Sequence, residues 1–85
     1  MRWRVEYTAR CRRDLAGIRV QDCVRIVRRA DRLAEDPRPP GCLKLTGRDD
    51  ADRLRVGDYR IIYQIEDAAL LVLVIAVGHR RDIYR

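Results

Sequence analysis

The segment "RLRVGDYRIIYQI", residues 53–65, decides the reading of this chain. Apolar and polar side chains alternate on either side of Gly57-Asp58, the pattern of two half-buried strands joined by a tight turn. A Gly-x pair suits a two-residue type II′ hairpin, which places Val56 opposite Tyr59. Counting back, Arg55 pairs with Arg60 and Arg53 with Ile62. Alternation then puts Arg53, Arg55 and Arg60 on one face and Leu54, Val56, Tyr59, Ile61 and Tyr63 on the other. Like charges directly opposite one another destabilise a sheet, so three arginines on one face of a hairpin call for an anion to neutralise them.

Downstream lies the most apolar run of the chain, "LLVLVIAV" (70–77), which leads straight into "GHRRDIYR" (78–85). The run is a buried strand, well short of the ~18 apolar residues that cross a bilayer. A two-residue loop at Asp67-Ala68 would set Arg60 opposite Ile75 and send Arg80 toward the helices. A three-residue loop, Asp67–Ala69, sets it opposite Ala76 instead. Ala76, Gly78 and Arg80 then join the arginine face, while Leu71, Leu73, Ile75 and Val77 meet the core. The second register keeps bulk inside. It predicts a shallow groove floored by Ala76 and Gly78 and walled by Arg53, Arg55, Arg60 and Arg80, with Tyr84 just beyond.

Upstream, "RWRVEYT" (2–8) alternates Trp3, Val5 and Tyr7 against Arg2, Arg4 and Glu6, a half-buried strand. Thr8 is a suitable N-cap for a helix over Ala9–Ala16 that Gly17 ends. "VQDCVRIVRRADRLAED" (20–36) reads as a longer amphipathic helix stopped by Pro37. Its predicted apolar stripe is Val20, Cys23, Val24, Val27, Ala30 and Ala34, flanked by Ile26 and Leu33. Arg25, Arg28, Arg29 and Arg32 face water, as a solvated surface or as part of a wider nucleic-acid surface. In the Pro/Gly-rich connection that follows, Leu43 and Leu45 are expected to tuck onto the core. The order is β-α-α-β-β-β: one α+β domain over 1–85, two helices on one face of a small, mainly antiparallel sheet.

At 85 residues, 47% hydrophobic and 38% charged, the chain can build one modest core. Its opening residues lack the apolar region of a signal peptide, so a cytoplasmic protein is expected. Net charge is +6, and Lys44 is the only lysine. Such an excess points to nucleic acid, a ribosome-like surface or an acidic protein partner. Cys11, Cys23 and Cys42 have no metal-ligand spacing and there is one histidine, so neither metal nor cofactor is expected.

"VGDYR", "YQI" and "VGHRRDIY", in this order, resemble the C-terminal half of the RelE/ParE superfamily of bacterial type II toxins, on its RelE branch. The likeness extends over nearly the whole chain. It implies an endoribonuclease toxin that cleaves messenger RNA in the ribosomal A site and is silenced by an acidic, RelB-like antitoxin. The toxin–antitoxin complex is expected to bind operator DNA through the antitoxin, with no membrane involved. By the same resemblance Arg60 and Arg80 hold the scissile phosphate, Tyr84 contacts or stacks on a base, and Arg53 and Arg55 complete the site. His79 and Arg81 are further candidate substrate contacts, and His79 is also a candidate acid or base. Relatives carry lysines where this chain has Arg53 and Arg55, one of them proposed as general base. Arginine, with a pKa above ~12, keeps the charge but is a poor proton acceptor. Two other outcomes fit the same fold: a ParE-like poison of DNA gyrase without ribonuclease activity, and a catalytically degenerate toxin that acts as corepressor.

Overall fold

The structure is a computed structural model that describes residues 2–45, 47 and 50–81. The elements are β1 (Arg4–Tyr7), α1 (Ala9–Ala16), α2 (Val20–Asp31) with a 3-10 turn Arg32–Ala34, β2 (Leu43–Lys44), β3 (Asp52–Val56), β4 (Tyr59–Glu66) and β5 (Leu71–His79). The strands form one mixed sheet in the order β1-β5-β4-β3-β2. Only β1 runs parallel to its neighbour, and the other pairings are antiparallel. The predicted α+β order is therefore present, with the two-residue β2 as an added edge strand.

The helix starts where the sequence signals it. Thr8 Oγ1 accepts from Cys11 N at 3.1 Å, the N-cap of α1. The α1 helix lies along β5 and α2 reaches β3 and β4. Between helices and sheet sits the core: Cys11, Ile26, Ala30, Leu33, Leu54, Ile61, Tyr63, Val72, Val74 and Val77, with Trp3, Val5 and Tyr7 packed against it. Buried polar groups are partnered there, as when Tyr63 OH donates to Pro37 O at 3.0 Å.

The α2 stripe is rotated from the one expected. Ile26 and Ala30 turn inward, with Leu33 and Ala34 following, whereas Val20 is 78% exposed and Val24 is exposed too. Two overlapping apolar arcs exist on this helix, and the larger side chains, Ile26 and Leu33, took the core. Leu43 is likewise 55% exposed on β2 instead of buried.

The β3–β4 register is the one that the turn dictates: Val56 faces Tyr59, Arg55 faces Arg60 and Arg53 faces Ile62. Gly57 has φ 59, a left-handed value that glycine adopts without strain. The β4–β5 register differs from expectation. Its loop has four residues, Asp67 to Leu70, because Glu66 pairs with Leu71. Leu70 takes φ 50, and its carbonyl accepts from Arg4 N at 2.8 Å, so β1 pins the turn.

A bulge then resets the strand. Tyr63 pairs with Val74 but Ile62 with Ala76, leaving Ile75 as an extra residue. Before the bulge Val72 and Val74 fill the core, and Leu71 and Leu73, which were expected there, take the opposite parity. After it, Val77 is in the core and Ala76 and Gly78 lie on the arginine face as predicted. The N-cap and the last turn of α1 supply what the bulge lacks: Thr8 Oγ1 donates to Ile75 O at 2.7 Å and Asp14 Oδ2 accepts from Val77 N at 3.1 Å.

Candidate functional site

Because the loop is one residue longer than expected and the bulge adds another, Arg60 sits opposite Gly78, not Ala76. Ala76, expected as part of the groove floor, is buried with Ile62 and Ala51 in a second small cluster joined by Leu45. The open part of the arginine face is thus shorter than expected. It is a hollow of about 220 Å³ lined by Gly41, Leu43, Arg53, Arg55 and Arg60. Sequence reasoning missed Gly41 and Leu43, since a two-residue edge strand leaves no periodicity to read.

Three arginines therefore line one hollow. Arg55 is exposed, and its Nε donates to Gly57 O at 2.9 Å. Arg60 is half-buried, and its Nη1 is buried without a hydrogen-bond partner. Leaving a buried donor unsatisfied costs about 1–3 kcal/mol, more for a charged group. A fold that tolerates such an atom beside two further arginines is suited to an anion with several acceptor oxygens.

Arg80 is not among the residues that line that hollow. Its backbone N–H donates to Asp58 O at 2.8 Å, and its Nε lies 3.9 Å from Asp58 Oδ1. At that distance and exposure the ion pair is weak and releasable. His79 points to the helix side, edge-on to Tyr59 with ring centroids 5.8 Å apart. It lines a separate hollow of about 530 Å³ with Arg19, Asp22, Arg25, Arg55, Gly57, Asp58 and Tyr59. Arg81 is exposed, and its backbone N–H donates to His79 Nδ1 at 3.2 Å. Tyr84 lies outside the described residues. Among the described residues no group of three His, Cys, Asp or Glu side chains could hold a metal ion, and no helix is long and apolar enough to cross a membrane.

A mixed sheet with two helices on one face and a cationic hollow on the other defines a class, and comparison gives it a family. Residues 5–84 match the model of the ParE toxin of type II toxin–antitoxin systems. The chain belongs to this toxin family, within the RelE/ParE superfamily. No curated protein matches its sequence. Among solved structures, the chain is similar to the RelBE2 toxin–antitoxin complex of Mycobacterium tuberculosis, with TM-score 0.84, 27% identity and coverage of 96% of this chain and 95% of that one. The archaeal RelE–RelB complex of Pyrococcus horikoshii gives 0.79 and 26%, covering 96% and 99%. A double arginine-to-alanine mutant of the E. coli toxin RelE in its free state gives 0.81 at 22%, covering 99% and 90%, a likeness of fold.

Proposed function

We propose that this toxin is an endoribonuclease that cleaves messenger RNA, using the ribosomal A site to orient its substrate. The observation that carries the reading is the half-buried Arg60, whose Nη1 has no partner, set among Arg53 and Arg55. In this mechanism the RNA's own 2′-oxygen attacks the adjacent phosphorus while the bond from phosphorus to the 5′-oxygen breaks. The 2′-hydroxyl proton leaves to a base and the 5′-oxygen gains one. The products carry a 2′,3′-cyclic phosphate and a 5′-hydroxyl. Arg60, Arg53 and Arg55 offset the charge that grows on the phosphoryl oxygens, and Arg80 joins them on leaving Asp58. Tyr84 contacts a base, and His79 and Arg81 flank the strand.

The same reading assigns an acidic, RelB-like antitoxin as partner, through which the complex would bind operator DNA. Two relatives are complexes of RelE with RelB or its counterpart. The exposed Val20 and Val24 beside Cys23 and Val27 offer apolar surface on α2 for such a partner.

A second reading has its own support, since the matching family model is described as a ParE toxin. On that reading the chain poisons DNA gyrase and Arg60 is a protein contact. Primer extension on transcripts after brief induction separates the two. Discrete new 5′ ends inside coding regions, absent with Arg60→Ala, are expected. Growth arrest with intact messages and broken chromosomal DNA would favour the second reading.

A further inference from the structure

Three arginines of α2, and Arg32 in the turn that continues it, are not accounted for by the site above. Arg25, Arg28, Arg29 and Arg32 recur at i, i+3, i+4 and i+7, so they share one flank of the helix. With Val56 of β3 they line a groove of about 260 Å³. Five arginines elsewhere are paired with carboxylates: Arg2 with Glu35, Arg4 with Glu6, Arg10 with Asp14, Arg19 with Asp22 and Arg38 with Asp67. Arg28, Arg29 and Arg32 make no ion pair among the described residues, and Arg25 has only a 3.9 Å contact to Asp22. Like charges at i, i+3 and i+4 oppose helix formation by a few tenths of a kcal/mol per pair. The helix macrodipole rewards one or two cations in the last turn, which covers Arg28 and Arg29. It does not cover a flank that starts at Arg25.

This groove is joined to the candidate site by shared residues. Arg25 lines both the groove and the 530 Å³ hollow at the hairpin tip. Its Nη2 lies over the turn, 3.2 Å from where a Cβ on Gly57 would stand. Arg55 lines both that hollow and the one holding Arg60. Shared lining residues thus link Arg32, Arg29, Arg28 and Arg25 to Arg55 and Arg60 through the hollow at the hairpin tip, which Asp22 and Asp58 also line. From Arg25 to Arg32 the helix rises ~10 Å, room for about three phosphates of one strand.

We propose that this track binds the phosphodiester backbone of RNA, independently of sequence, and carries the strand that continues from the candidate site. It rests on the reading of that site as an RNA site, but binding and cleavage are measured separately. The ligand is RNA rather than an acidic polypeptide because the groove is walled by guanidinium groups along one flank, with Val56 as its only apolar lining. An acidic amphipathic helix would need a broader apolar seat, and the one on α2, at Cys23, Val24 and Val27, is bordered by Arg28 and Asp31, so Arg28 stands between the two surfaces and an acidic polypeptide is the competitor that the test includes.

The test is binding of a labelled single-stranded 2′-O-methyl RNA, which cannot be cleaved by 2′-attack, between 50 and 300 mM salt. The full chain is compared with Arg28→Gln/Arg29→Gln/Arg32→Gln, the corresponding triple lysine variant, and Arg60→Ala. Loss of three phosphate contacts should lower the slope of log affinity against log salt by about 2. The triple lysine variant should keep the slope, and Arg60→Ala should change it by less than about 1. Equal slopes for the parent and the glutamine variant would overturn the proposal. So would a glutamine variant that loses affinity for polyglutamate and keeps it for RNA. If no cleavage of natural RNA is found yet the slopes differ as stated, the track stands and the cleavage reading falls.

Discussion

Arg55 and Arg60 face each other directly across the β3–β4 ladder, and neither has a carboxylate partner among the described residues. Two like charges in register, one with a buried unsatisfied nitrogen, act against folding. Sites that work against stability in this way are where function is concentrated.

Arg60→Ala should therefore separate stability from toxicity. It removes the orphaned Nη1 and the repulsion with Arg55, a gain of about 1 kcal/mol, or ~4–8 °C in Tm for a domain this size. The same change removes a contact to the transition-state phosphate, at a cost of on the order of 10²-fold in cleavage. The measurements are thermal melts and growth after induction. A variant that melts lower and remains toxic would show Arg60 to be structural.

The clasp at the β5 bulge is a second test. Thr8 Oγ1 both accepts from Cys11 N and donates to Ile75 O. Thr8→Val keeps the volume and loses both bonds, so a loss of about 2 kcal/mol is expected. A denaturant melt measures it. Because the clasp sets the parity that places Gly78 beside Arg60, activity should fall further than stability alone explains. A variant with parent stability would show that the bulge holds without Thr8.

How legible this was depended on where the determinants lie. The hairpin register was readable because Gly57-Asp58 fixes it locally, and two arginines then had to face each other. The bulge was not, because Ile75 is an extra residue made acceptable by Thr8 and Asp14, some 60 positions away in sequence. Alternation and a three-residue loop put Leu71 and Leu73 inside; the four-residue loop put Val72 and Val74 there instead, and the bulge then brought Val77 back to the core. The α2 arginines could be read as exposed, but their union with Arg55 needed the packing of Arg25 over Gly57.

Alkaline pH offers a check on the core. Burial, and then the charge of Asp14, pushes the Cys11 thiol up to about 11. Burial likewise raises the Tyr7 and Tyr63 hydroxyls, with Asp31 adding to the shift at Tyr7. A raised folded-state value means that the protonated form is favoured in the fold. The stability is fully present below the unfolded thiol value of ~8.5 and is lost as pH rises toward 11. Tm should hold to about pH 8.5 and then fall, more steeply once tyrosines begin to ionise near 10. Cys11→Ala should start lower and lose less between pH 8.5 and 10. An identical decline in both proteins would remove Cys11 from the account.

Lysine substitution can divide charge from proton transfer at positions 53 and 55. If both arginines act only as cations, Arg53→Lys and Arg55→Lys should keep cleavage within roughly tenfold, since only the guanidinium fork is lost. Arg55 is the better place for a base, because it is exposed at the mouth of the hollow and faces Arg60. A lysine there stands among cations, which lower its pKa and make the free amine accessible. Arg55→Lys would then cleave faster than the parent and gain a limb rising toward alkaline pH. Single-turnover cleavage of ribosome-bound message across pH measures this, with Arg53→Lys as control. Parallel profiles for all three proteins would mean that proton removal falls to another group, with Tyr84 and His79 the next to substitute.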